Sequence, residues 1–318
     1  MTDTDLRETF ASLTEDKLRR RFDAQNYVVD DGFVTTVTLA LRLGKPLLVE
    51  GLPGSGKTEL GKVLSESFET ELVRLQCYEG LTAENTLYEW NYQKQLIEVQ
   101  SRAGRPDSGG SDGTATDSVF EESFLQERPL LRALRGDRPV LLIDEIDRAD
   151  EEFEAFLLEF LSDFQVTIPE LGTVSTEEPP VVVITSNRTR GLSDALRRRC
   201  LYLNVSPPDE ETERAIVRRK VPELEAAAIE EVVAAVHELR ELPLLKQPGV
   251  AETLDWSRAL AIKDEREQML TAETLEATLG CLLKEAADVE RVDADTIDRI
   301  IDAVRTGKKA PDSQPSGE

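Results

Sequence analysis

Histidine is almost missing from this chain: His237 is the single one in 318 residues. Histidine-based catalysis and a histidine-built metal centre are therefore not expected. Cysteine is nearly as scarce. Cys77, Cys200 and Cys281 stand far apart in apolar contexts, so they read as small buried residues of a reducing compartment, not as a disulfide framework or metal site. No apolar run is long enough to span a bilayer, and the opening Met1–Asp5 is polar and acidic. Neither a transmembrane helix nor a secretory signal is expected, and no membrane partner; the expected location is cytoplasmic. Lysine is short as well, most of the 38 basic residues being arginine, against 63 acidic ones and a net charge of −25. Such a surface argues against broad nucleic-acid binding, which needs a basic footprint. It suits high salt, where a Debye length of about 3 Å screens the self-repulsion, and a halophilic source is the expectation.

What the chain does have is Gly51-Leu-Pro-Gly-Ser-Gly-Lys57-Thr58, which fits the phosphate-binding pattern G-x-x-x-x-G-K-[ST]. The apolar Pro46–Glu50 leads in as a strand and Glu59–Glu66 leads out as a helix. In this arrangement Gly51, Pro53, Gly54, Ser55 and Gly56 form a loop whose N–H groups face a β-phosphate at the positive end of the helix dipole. Lys57 can reach the β- and γ-phosphates, the Thr58 hydroxyl can bind Mg²⁺, and Glu59 opens the helix. No Asn-Lys-x-Asp segment is present to read guanine, so ATP with Mg²⁺ is the expected ligand.

Upstream, helical spacing of Leu6, Phe10, Leu13 and Leu18 predicts one or two N-terminal helices, and Gly32–Arg42 a further one. Tyr27 to Val29, between them, are candidates for base contacts or for plain core packing. Glu71–Gln76 alternates as a strand. Residues 101–118 are rich in Gly, Ser and Asp without apolar periodicity and read as a flexible insertion within one domain. Beyond it, Arg138–Glu145 reads as a buried parallel strand ending in Asp144-Glu145, with Asp144 placed to hold Mg²⁺ and Glu145 to polarise a water. Asp150 is suited to cap a helix with a wide apolar face from Phe153 to Phe164, and Gln165–Val174 predicts a hairpin. Val181–Asn187 is a third buried strand that ends in a polar amide, and Asn187 can reach a γ-phosphate or the attacking water. A short helix from Ser193 ends in Arg197-Arg198-Arg199. These are cations at a helix C-terminus, a small nucleic-acid patch, or an arginine presented to a neighbouring subunit's γ-phosphate. After Pro207-Pro208, helical periodicity recurs near 209–220, 223–241, 251–264, 272–287 and 293–305. The fold class is thus α/β, a parallel sheet flanked by helices over 1–206, followed by a small all-α domain over 207–305 and a disordered tail over 306–318.

These residues together resemble an AAA+ ATPase, and within that superfamily the MoxR group, from about 20 to 305. Gly51–Thr58 matches Walker A, Leu141–Glu145 matches Walker B and Asn187 matches sensor 1. Arg199, with Arg198 as its alternative, resembles the arginine finger. Leu87–Leu96, Phe124–Arg132 and Gly249–Trp256 look like the MoxR-type ATPases associated with maturation of carbon-monoxide-dehydrogenase-like molybdenum enzymes. The resemblance implies a chaperone-like ATPase in a homo-oligomeric, hexameric ring, a partner with a von Willebrand factor A domain, and a client enzyme. One departure concerns sensor 2: Ala251-Glu252-Thr253 carries no arginine where relatives have one, and Arg258 is the nearest candidate. The Arg-Arg-Cys segment also resembles nucleic-acid motors and clamp loaders, the alternative reading.

Overall fold

Contiguous apolar runs and their polar ends set out the central layer. The computed structural model describes residues 10–103, 122–169, 172–263 and 270–306. The expected insertion and tail lie outside the described residues apart from 101–103 and 306, and so does Leu6. Nine strands follow in the described chain: β1 (Leu47–Gly51), β2 (Leu72–Gln76), β3 (Tyr88–Trp90), β4 (Leu125–Glu127), β5 (Val140–Asp144), β6 (Gln165–Ile168), β7 (Gly172–Ser175), β8 (Val181–Ser186) and β9 (Leu201–Val205).

Five of them form one sheet in the order β2-β5-β8-β1-β9. β2 with β5, β5 with β8, and β8 with β1 pair parallel, in registers that set Gln76 beside Asp144 and Glu50 beside Ser186. The C-terminal ends of these four strands therefore lie along one edge, where ligands of open parallel sheets bind. β1, β5 and most of β8 are buried on both faces, as helix-covered parallel strands must be.

Helices flank this sheet. Thr14 caps Glu15–Ala24, and Asp30 caps Asp31–Leu43, which ends on Gly44 in the left-handed region. Asp150 caps Glu151–Asp163 by accepting from the Phe153 N–H, as its position predicts. Phe153, Leu157, Phe160 and Leu161 of that helix join Leu141, Ile143 and Ile184 in one core. Burying each such side chain is worth about 1.5–3 kcal/mol. β6 and β7 form the expected hairpin. The pairing of β3 with β4 is a finding of the structure, since 34 residues separate their facing ends and no turn signal links them.

By its internal contacts the chain divides into two units. The α/β unit comprises Met1–Gln25, Asp30–Gly51 and Lys57–Asn204; the helical unit comprises Asn26–Val29, Leu52–Gly56 and Val205–Glu318. The helical unit packs Glu210–Lys220, Ala226–Arg240, Val250–Lys263, Ala272–Leu282 and Ala294–Thr306 around buried Trp256 and the aliphatic residues of those helices. The periodicity over 272–287 predicts one helix, but there are two, Ala272–Leu282 and Ala286–Arg291. Fully buried Asp288 accepts from the Leu245 and Lys246 N–H groups. The backbone is extended at Leu283, between the two helices, so the pattern is not continued as one helix.

Candidate functional site

The loop after β1 is built on two glycines in the left-handed region, Gly54 (φ 78°) and Gly56 (φ 87°), where any side chain would be strained. A Cβ on Gly56 would meet nothing within 4 Å, whereas one on Gly54 would lie 2.9 Å from Glu252 Oε2. The loop is thus open at Gly56 and closely covered at Gly54, whose carbonyl accepts from the Ala251 N–H at 3.3 Å. Ser55 Oγ is buried without a partner, an orphaned donor that a phosphate oxygen would satisfy. Lys57 begins the helix Lys57–Phe68 and donates to the Gly51 carbonyl at 2.9 Å. Burial holds its ammonium below the ordinary lysine value, against the opposing pull of Asp147, Asp144 and Glu145. Glu59, in the first turn of that helix, faces Lys62 at 3.5 Å, and Pro53 is exposed at the loop tip.

At the end of β5 the carboxylate of Asp144 is buried and crowded with donors. Its Oδ1 accepts from Thr185 Oγ1 at 2.5 Å and Thr58 Oγ1 at 3.0 Å. Its Oδ2 accepts from Arg74 Nε at 3.2 Å and Nη2 at 2.5 Å. Thr58 and Asp144 thus present a hydroxyl and a carboxylate side by side, hard oxygen donors that could hold Mg²⁺. Among the described residues no cluster of three or more metal-binding side chains is assembled.

Glu145 follows with φ 58° and ψ 49°, a conformation rare for a residue with a Cβ. Its N–H donates to Thr185 Oγ1 at 2.9 Å, so one threonine ties Asp144 to Glu145. Its carboxylate accepts from Gln76 Nε2 at 2.9 Å and Asn187 Nδ2 at 3.3 Å, and Arg148 lies 3.4 Å away. Asn187 is fixed in turn by Asp147, which accepts from the Asn187 N–H at 3.1 Å and from the Thr189 N–H and hydroxyl. Burial pushes the Asp147 carboxyl up, but those hydrogen bonds outweigh it and hold the group below its ordinary value. For Glu145 the outcome is a carboxylate aimed by amides at the ends of two strands and one third exposed to water. It could orient and deprotonate a water molecule.

Thr58, Asp144, Glu145 and Asn187 are therefore brought together within one unit, with Lys57 beside them. The candidate arginines Arg198, Arg199 and Arg258 are not part of that group. Arg197 is bound to Glu50 at 2.9 Å, Arg199 reaches the Leu158 carbonyl at 3.4 Å, and Arg198 is exposed and has no partner among the described residues. Arg258, in the helical unit, pairs with Asp255 at 3.0 Å on an exposed surface. Cys77 and Cys200 are buried and their thiols pushed up to about 12 by desolvation, so both are inert packing residues. Sequence reasoning passed over Arg74, Gln76, Thr185 and Asp147. The signal for the first two was the alternation of β2, which sets Arg74 and Gln76 on one face, but only the strand order shows that this face meets Asp144.

A parallel sheet with a phosphate-binding loop, an Asp-Glu pair and a polar amide on adjacent strand ends defines a nucleotide-hydrolysing P-loop domain. Residues 46–200 match the family model of the AAA domain (dynein-related subfamily). This part of the chain is thus similar to AAA domains, and the chain binds a nucleotide and hydrolyses ATP. The chain is 26% identical over 242 residues to an uncharacterized protein of Staphylococcus haemolyticus, covering 74% of this chain and 82% of that one. An uncharacterized protein of Staphylococcus aureus is 25% identical over 225 residues, covering 69% and 76%. Among solved structures it is similar to the Thermotoga maritima RuvB Holliday junction branch migration motor, with 16% identity, TM-score 0.41, and coverage of 87% of this chain and 70% of that one. It is also similar to the FIGL-1 AAA domain in complex with ADP, with 18% identity, TM-score 0.38, and coverage of 85% and 74%. At these values neither likeness bears on what the chain acts upon. No helix among the described residues is long and apolar enough to cross a membrane.

Proposed function

We propose that this chain is a MoxR-type AAA+ ATPase that couples ATP hydrolysis to remodelling or maturation of a client protein complex, with a von Willebrand factor A domain protein as partner and a molybdenum enzyme as candidate client. The observation that carries the catalytic part is Glu145, held at positive φ by Thr185 and aimed by Gln76 and Asn187. In this reading the loop Gly51–Gly56 and Lys57 bind the phosphates, and Thr58 and Asp144 hold Mg²⁺. The metal would neutralise charge developing on the phosphate oxygens. Glu145 takes a proton from the attacking water, and Asn187 keeps Glu145 and that water in line. Arg199, or Arg198 beside it, stabilises the transition state in the neighbouring subunit of a homo-oligomeric ring, which makes hydrolysis depend on assembly. Arg258 is the candidate for a lid contact to the nucleotide. The acidic surface adds a cytoplasm of high salt to the proposal, so the assay conditions follow from it.

The test is a pull-down with Glu145→Gln loaded with ATP in molar KCl, followed by identification of what stays bound. Recovery of a von Willebrand factor A protein, with or without a molybdenum hydroxylase, is the expected result. Recovery of nucleic acid or replication proteins would overturn the remodelling reading in favour of a nucleic-acid motor.

A further inference from the structure

Asp144 has no acceptor position to spare. A carboxylate offers about four lone-pair sites, and here they meet Thr185, Thr58 and two nitrogens of Arg74. Both threonines are neutral, so Arg74 is the cation in direct contact with this buried carboxylate among the described residues. The two partners are unequal in mobility: the Asp144 side chain is 4% exposed and that of Arg74 is 51% exposed. Asp144 is fixed, while the guanidinium can swing into solvent without disturbing the core. Arg74 Nη2 also donates to Gln76 Oε1 at 2.7 Å, and the Gln76 amide donates to Glu145 Oε2 at 2.9 Å. A single run of hydrogen bonds therefore leads from Asp144 through Arg74 and Gln76 to Glu145.

We propose that Arg74 is a positioning residue that stands as the resident cation on Asp144 and competes with the divalent metal for that carboxylate. This rests on the reading of Thr58 and Asp144 as the metal site. On metal loading the guanidinium leaves Asp144, and the same departure removes the donor that fixes the Gln76 carbonyl. Gln76 then turns its amide with fewer constraints, so that occupancy at Asp144 is communicated to the carboxylate of Glu145. Before loading, Arg74 keeps a buried charge paired, which a neutral side chain could not do.

The experiment is equilibrium binding of a fluorescent ATP analogue titrated with Mg²⁺, on the full chain as wild type, Arg74→Gln and Arg74→Lys. Removing the competing cation is expected to lower the Mg²⁺ concentration at half-saturation by about two- to fivefold in Arg74→Gln, the range of a half-exposed ion pair. Arg74→Lys, which keeps the charge but loses the forked contact, falls between the two. A raised midpoint would show that Arg74 supports metal binding, nucleotide binding weakened alike with and without Mg²⁺ would make Arg74 a phosphate ligand, and either result overturns the proposal. A midpoint unchanged in either variant overturns it too, and if Arg74→Gln does not fold, the Arg74→Lys shift decides. Binding by the wild-type chain that shows no Mg²⁺ dependence at all removes the metal site itself, and this proposal with it.

Discussion

Two buried carboxylates, one in each unit, are handled in opposite ways. Glu213 in the helical unit is fully buried and saturated: His237, both terminal nitrogens of Arg240 and the Thr253 hydroxyl all donate to it. Arg240 then reaches the Pro248 carbonyl, which fixes the turn before Val250–Lys263. Nothing in that cluster is strained or half-exposed except the edge of His237. Asp144 in the α/β unit is as crowded, but its charged partner is half in water and its neighbour Glu145 sits at positive φ. The first arrangement is a clamp, the second a set of groups that can exchange partners. Closed networks hold a fold, and function needs one whose donors can be given up.

The comparison breaks if the α/β cluster is only structural, and the largest effect tests that first. Arg199→Ala should keep nucleotide binding and lose about 10³-fold or more in ATP turnover, the worth of a trans-acting arginine. Steady-state ATPase assays at several protein concentrations check it. Because Arg198 is the exposed neighbour without a partner among the described residues, Arg198→Ala run in parallel assigns the finger: full turnover in Arg199→Ala with loss in Arg198→Ala moves the role by one residue. Glu145→Gln should bind ATP and turn over about 10²–10⁴-fold more slowly, since the amide still bonds Asn187 but cannot take a proton. Near-normal hydrolysis by that variant would remove Glu145 from the chemistry.

Much of this site is legible in the amino-acid sequence because its parts end buried strands. Val140–Ile143 and Val181–Ile184 are unbroken apolar runs followed by polar residues, and such a stop is a sequence feature. Arg74, Gln76 and Thr185 are not legible in that way. Each is a polar residue inside or at the end of a strand, and its significance depends on which strand lies beside it, information held in the order β2-β5-β8. The β3–β4 ladder is hidden for the same reason, being a pairing across distant sequence. Glu213 is hidden by its helix: it reads as one more acid in a charged amphipathic segment, and only packing reveals it at the centre of the unit. The split at Leu283 is hidden too, because the apolar pattern over 272–287 stays periodic across a residue whose backbone is extended.

The clamp makes its own prediction. Hydrogen bonds and the Arg240 charge overcome desolvation and bring the Glu213 carboxyl down to about 2 from 4.5. A depressed carboxyl stabilises the fold in full above its unfolded value and loses that contribution as pH falls toward the folded one. Glu213→Gln should therefore cost about 3 kcal/mol at pH 7, with Arg240 left as a buried unpaired cation. The gap between variant and wild type should narrow below about pH 4.5, at about 1.4 kcal/mol per pH unit, and close near pH 2. Denaturant unfolding at a series of pH values, with ATP absent, measures it; a gap independent of pH would show that the carboxylate charge contributes nothing.

The smallest effect separates holding from acting within the α/β cluster. Thr185 donates to Asp144 and accepts from the Glu145 N–H, so its hydroxyl links the two acids directly. Valine has the same shape and a strand preference at least as strong, and Thr185→Val removes only that link. It leaves the Glu145 N–H without its acceptor, at a cost of about 1–2 kcal/mol in stability. Relaxed from its left-handed geometry, Glu145 should then lose about tenfold in turnover, while ATP binding, which depends on Lys57 and the glycine loop, stays within about twofold. Thr185→Ser restores the hydroxyl and should recover most of the turnover. Equal losses in valine and serine variants would assign the effect to packing of β8 and would place Thr185 with the clamps rather than with the groups that move.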